Sequence, residues 1–119
     1  MKKEIFRGEV YLVDFGKPFS ERDSRQAGVR PAIVVSNSSN NKFSPVLIVV
    51  PLTTKTKRSI PTHHTFDLWN QPYHKLITNT ALCEQVSTIA KDQVIKRVGK
   101  LEYEDILEVT TKLRVAMGL

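Results

Sequence analysis

Short runs rich in β-branched and aromatic residues recur from Glu9 almost to Gly99, and only then does the apolar pattern change to a helical period. That switch constrains the fold more than any other feature, because side chains alternate across a strand but return every three or four residues on a helix. Glu9–Phe15, Pro31–Asn37 and Val46–Leu52 are expected strands, followed by Thr62–Leu68, Thr80–Val86 and Gln93–Val98. The run Val46–Leu52 is continuously apolar, which predicts cover on both faces. Pro51 within it cannot donate a ladder hydrogen bond and belongs at an edge or a strand end. Residues 38–42, Ser-Ser-Asn-Asn-Lys, have turn composition. From Glu102 onward, Ile106, Val109, Leu113 and Ala116 form one apolar face, with acids in the first turn and Lys112 and Arg114 later, as the helix dipole favours. The expectation is a compact, mainly β domain spanning 1–119, closed by a C-terminal α-helix.

A chain of 119 residues fits one domain and buries only a modest core, so a dimer interface would help to stabilise it. Cys83, the single cysteine, cannot form an internal disulfide and reads as a small buried hydrophobe of a reducing compartment. No run reaches the length of a membrane span, and the charged start lacks the apolar stretch of a signal peptide, so a cytoplasmic location without membrane attachment is expected. The net charge of +6 is unevenly placed. Residues 1–60 carry eleven Lys/Arg against five Asp/Glu, whereas residues 61–119 carry seven of each. A basic half fits a polyanionic partner such as nucleic acid, and equally a solvated basic surface.

Most familiar chemistries leave no trace. His63 and His64 are adjacent and would point to opposite faces of a strand, His74 stands alone, and no second cysteine exists, so no metal site is expected. Glycine-rich phosphate loops and the Gly-x-Ser-x-Gly elbow are missing from the sequence. What remains is a basic constellation. Gln26-Ala27-Gly28-Val29-Arg30-Pro31 fixes one arginine between a glycine and a proline that forces it to be extended. Pro51-Leu52-Thr53-Thr54 ends another expected strand in hydroxyls. If the two strand ends lie side by side, a guanidinium fork and a hydroxyl could hold a phosphodiester and the charge that builds on it. The same pattern also fits a surface arginine paired with a carboxylate and a threonine capping a strand.

Five segments in order resemble one family. Arg7-Gly8-Glu9-Val10-Tyr11-Leu12-Val13-Asp14-Phe15 is similar to the opening strand of the MazF/PemK toxins, and Gln26 through Asn37 resembles their most distinctive motif. Asn41-Lys42-Phe43-Ser44-Pro45, Val49-Val50-Pro51-Leu52-Thr53 and Glu84-Gln85-Val86-Ser87-Thr88-Ile89 match three further segments.

The resemblance implies an SH3-like β-barrel of the MazF/PemK/CcdB type and a symmetric homodimer. It implies a metal-independent, sequence-specific endoribonuclease (an mRNA interferase) without cofactor. Its partners would be single-stranded RNA and a cognate antitoxin, with operator DNA met only through the antitoxin complex. The catalytic arginine and threonine fall on Arg30 and Thr53, with Glu84 as a possible base. Gln26, Lys55, Lys57, Asn79, Gln85 and Thr88 are the implied substrate contacts. The implied reaction is attack of the ribose 2′-hydroxyl on phosphorus, giving a 2′,3′-cyclic phosphate and a 5′-hydroxyl. Two positions depart from the pattern, Arg25 where an acid is common and Leu82 where some members carry arginine, so a mechanism using either position is not carried over. A CcdB-like gyrase poison and a non-catalytic nucleic-acid-binding relative are the alternative readings.

Overall fold

The computed structural model describes residues 4–18, 20, 27–55, 59–70 and 73–119. Seven strands form one curled sheet: β1 (Glu9–Asp14), β2 (Val29–Val34), β3 (Val46–Thr53), β4 (His63–Asn70), β5 (Lys75–Leu82), β6 (Ser87–Ala90) and β7 (Val94–Lys100). The strand order is β4-β5-β3-β2-β1-β7, all neighbours antiparallel, with β6 paired to the first half of β3. The short α1 (Ser38–Phe43) follows β2, and α2 (Tyr103–Met117) ends the chain. The sheet curls into a half-barrel whose end strands approach each other. A Cβ on Gly99 of β7 would sit 3.2 Å from the Trp69 carbonyl oxygen of β4, a tight contact that glycine relieves.

Alternation along the strands supplies two apolar clusters, one on each face of the sheet. Val10, Ile33, Val50, Leu52, Phe66 and Leu68 gather on the face that α2 covers through Val109. Tyr11, Val13, Ala32, Val34, Leu47, Val49 and Ile89 gather on the other. Because both faces of β1 and β2 are covered, each loses apolar surface to a core, at roughly 25 cal/mol per Å² removed from water.

The expected strands at 9–15, 31–37, 46–52, 62–68 and 93–98 correspond to β1, β2, β3, β4 and β7, and the C-terminal helix stands where its period placed it. Four details differ. The start of β3 is not covered on both faces, since Val46 and Ile48 are exposed. Ser38–Phe43 is one helical turn and a half rather than a turn, started by Asn37, whose side chain accepts from Ser39 N at 2.8 Å. The expected strand at 80–86 is the end of β5, broken by a 3₁₀ turn at Cys83–Gln85 before β6 begins. Ala116 faces solvent, because the apolar stripe of α2 loses contact with the sheet near the helix end. Among the described residues no helix is long and apolar enough to cross a membrane.

Candidate functional site

The β2–β3 ladder runs from Val34–Val49 to Ala32–Pro51. The ladder stops there, two residues short of Arg30 on β2 and of Thr53 on β3. There β3 changes partner, pairing Leu52 with Ala81 and Thr53 with Thr80 of β5. Pro51 stands at this corner, where a residue without an N–H leaves no donor unpaired.

Each side chain is oriented locally. Arg30 lies opposite Val13 of β1, exposed, and its Nε donates to the Ala27 carbonyl at 3.2 Å. One of its five N–H donors is thereby used to aim the planar fork. Just ahead of it, Phe15 N donates to Gly28 O at 2.9 Å and Gly28 N to Gly16 O at 2.7 Å. Thr53 is only 8% exposed, and its Oγ1 accepts from Lys55 N at 3.2 Å. That bond turns the chain outward and leaves the hydroxyl proton to be donated.

A polar floor extends from Thr53 across the outer face of the β4–β5 hairpin. Directly opposed residues share a face, so Thr53, Thr80 and Thr65 form a row, with Thr65 and Thr80 Oγ1 atoms 2.9 Å apart. His63, two residues before Thr65, continues it. Its Nε2 lies 3.0 Å from Glu84 Oε2, while Thr62 Oγ1 donates to Glu84 Oε1 at 3.1 Å. His63 Nδ1 is buried with no hydrogen-bond partner. His64 points the other way and meets Asp105 of α2 at 2.9 Å, so the two histidines do face opposite sides. Among the described residues no group of three or more His, Cys, Asp or Glu could hold a metal ion.

The family model described as the PemK-like, MazF-like toxin of type II toxin–antitoxin systems matches residues 6–117. The chain belongs to this family. The fold is similar to that of an endoribonuclease from a mycobacterial species, with 25% identity, a TM-score of 0.77, and cover of 98% of this chain and 94% of that one. A mycobacterial endoribonuclease in complex with its cognate antitoxin is similar at 26% identity, with a TM-score of 0.77 and cover of 97% and 96%. MazF from Deinococcus radiodurans shares the fold at 18% identity and a TM-score of 0.77, covering 99% of this chain and 100% of its own.

The other residues that the MazF/PemK likeness singles out fall in three groups. Lys55 is exposed just beyond Thr53. Gln85 and Thr88 line a cavity of about 230 Å³ together with Ala27 and Pro51, neighbours of the Arg30–Thr53 corner. Asn79 sits apart: it is 5% exposed on the Phe66 side of β5, and its Nδ2 donates to Ile77 O at 2.9 Å. Gln26, Lys57 and Arg25 lie outside the described residues. Leu82 is buried opposite His63 and offers no polar group. Sequence reading missed Thr65, Thr80 and the His63–Glu84 pair. The polar–apolar alternation from Thr65 to Leu68 was the available signal.

Proposed function

We propose that this MazF/PemK chain is a metal-independent, sequence-specific endoribonuclease toxin acting on single-stranded RNA in the cytoplasm. It acts as a homodimer that a cognate antitoxin neutralises. One observation supports the reading: the β2–β3 ladder ends at Ala32–Pro51, two residues short of Arg30 on one strand and of Thr53 on the other, and Thr53 is followed across the sheet by Thr80 and Thr65. In the reaction the substrate's 2′-oxygen bonds to phosphorus and the bond from phosphorus to the 5′-oxygen breaks. The 2′-hydroxyl gives up its proton, and the departing 5′-oxygen takes one. Negative charge grows on the non-bridging oxygens, where Arg30 supplies a fork matched to phosphate and Thr53 one further donor. RNA brings its own nucleophile, and its intramolecular placement lowers the entropic barrier. Lys55 and Lys57 attract the phosphate chain, while Gln26, Gln85 and Thr88 meet unstacked nucleotides. Asn79 would join them only if a base reached behind β5.

The test is a single-stranded RNA cleaved in EDTA, compared with the same strand carrying one deoxyribose 5′ of the scissile phosphate. The expected result is a cyclic phosphate on the 5′ fragment of the all-ribose strand and no cleavage of the substituted one, with binding retained. Cleavage of the deoxy strand, or a requirement for added Mg²⁺, overturns the mechanism. Binding without any cleavage would make the chain a non-catalytic relative.

A further inference from the structure

The 3₁₀ turn Cys83–Gln85 is weakly held by its own bonds. Leu82 before it supplies no side-chain cap, and the turn closes through Val86 N donating to Cys83 O at 3.3 Å. A single turn of this kind, with a closing bond at the long end of the range, gains little from its backbone. Just after it, Ser87 Oγ donates to Gln85 O at 2.8 Å. Gln85, Ser87 and Thr88 then line the cavity of about 230 Å³ together with Ala27 and Pro51.

The start of β4 supplies what the turn lacks. Cys83 N donates to Thr62 O at 3.1 Å, and Thr62 Oγ1 donates to Glu84 Oε1 at 3.1 Å. His63 Nε2 stands 3.0 Å from Glu84 Oε2. Two adjacent residues thus hold one backbone N–H of the turn and both oxygens of its carboxylate. His63 is itself fixed, with its N donating to Ile60 O at 3.0 Å.

A carboxylate only accepts, so the neutral ring of His63 carries its proton on Nε2. Its Nδ1 is buried without a partner, in a side chain 9% exposed that lies across from buried Leu82. Glu84, by contrast, is 36% exposed. A pair this open to water returns little stability, while an orphaned buried acceptor has a cost that an apolar residue at this position would avoid. Stability therefore does not account for the ring. Position does: two torsions fix where Nε2 points, and that point holds Glu84, the residue directly before Gln85. Being buried, the ring does not reach RNA itself.

We infer that His63 is a positioning residue for RNA. Through Glu84 it fixes the Cys83–Gln85 turn, so that Gln85 is already in place when an unstacked nucleotide enters the cavity, which lowers the ordering cost of binding. The inference rests on the nuclease reading, since it needs RNA at that cavity.

The experiment measures kcat and KM on a fluorescent single-stranded RNA, and the binding of the same strand with deoxyribose 5′ of the scissile phosphate. A wild type that neither binds nor cleaves any such RNA ends the nuclease reading, and this inference with it. Given an active wild type, His63→Ala should raise KM and weaken binding about tenfold while kcat stays within about twofold. His63→Gln, whose Nε2 reaches as far from the backbone, should restore both; His63→Asn, one bond shorter, should not. Glu84→Ala should match His63→Ala, and the double variant should be no worse than either, as expected for one shared path. Tyr11→Phe, weakened elsewhere in the fold, should keep the wild-type KM, which separates lost position from lost stability. Circular dichroism should show every variant folded. Unchanged KM and binding in His63→Ala overturn the inference, as do equal effects of Gln and Asn or additive effects of His63 and Glu84. A fall in kcat of about 10²-fold at constant KM would instead make the ring part of the chemistry.

Discussion

The His63 Nε2 and the Glu84 Oε2 lie 3.0 Å apart, joining the start of β4 to the 3₁₀ turn after β5. With Thr62 on the other oxygen, both oxygens of this carboxylate are engaged. Glu84 is therefore better placed to hold the turn than to take a proton from RNA. Glu84→Gln retains an acceptor for Thr62 and should leave cleavage within about fivefold of the wild type. Losing an essential catalytic group costs roughly 10²-fold or more. Glu84→Ala should lower the melting temperature by a few degrees, the scale of one lost charge-assisted bond in a small domain. A loss of 10²-fold or more in folded Glu84→Gln would make Glu84 the base.

Arg30→Ala and Thr53→Val should each reduce cleavage by about 10²-fold or more, the cost of removing one donor to developing charge. Valine keeps the volume of Thr53 and removes only the hydroxyl, so packing against Thr80 survives. Thr53→Ser should recover most of the rate. A quenched fluorescent RNA read beside circular dichroism checks both effects, and near-normal turnover by folded Arg30→Ala would remove the corner from the chemistry.

Gly8 has φ of +92°, and a Cβ there would lie 2.7 Å from Ile106 Cδ1 of α2. Its N–H also donates to Val34 O at 2.8 Å, and its carbonyl accepts from Leu101 N at 2.9 Å, so the backbone cannot swing aside cheaply. Gly8→Ala should cost about 1–3 kcal/mol, the usual penalty for a side chain in a strained backbone region. Urea unfolding would detect it, and an unchanged midpoint would show that the helix yields.

How much of this was legible in the sequence depends on the range of the interaction. β1, β3 and α2 could be read because their patterns are local and long. β5 was placed too late because its first half, Lys75–Thr78, stands largely exposed, and the adjacent Leu76 and Ile77 break the alternation of a half-buried strand. The break at Cys83 was hidden because Ala81, Leu82 and Cys83 are all buried, so a change of direction leaves the apolar run unbroken. Arg30 and Thr53 could be proposed because each stands near a strand proline, Pro31 or Pro51, within segments that resemble the MazF/PemK motifs. Thr65–Thr80 and His63–Glu84 needed the register between strands, which no window of sequence contains.

Cys83 should be inert in the native protein. It is buried beside α2, and burial, then the nearby Glu84 charge, push its thiol up to about 12. Since the thiolate is the reactive form, a disulfide reagent at pH 8 should modify it only as fast as the protein unfolds. Rapid native labelling would contradict the packing.

Tyr11 sets an alkaline limit on stability. Burial is the first cause that pushes its phenol up to about 12, and the charge and hydrogen bond of Glu9 add to it. The neutral hydroxyl donates to Glu9 Oε1 at 3.1 Å, a bond that ionisation would replace with two facing negative charges. In the unfolded chain the same phenol ionises near its ordinary value of about 10. Between about pH 10 and pH 12 the native state therefore binds more protons than the unfolded one, and stability falls as pH rises. The contribution is fully present below pH 10 and lost through pH 12, a few kcal/mol at most at about 1.4 kcal/mol per unit. Tyr11→Phe should be less stable at pH 7 by about 1 kcal/mol, for the lost hydrogen bond. Its stability should then decline less steeply than the wild type across the alkaline window, Cys83 being common to both proteins. Urea midpoints measured from pH 7 to pH 11.5 would show the two curves converging, and parallel curves would mean that Tyr11 titrates alike in both states.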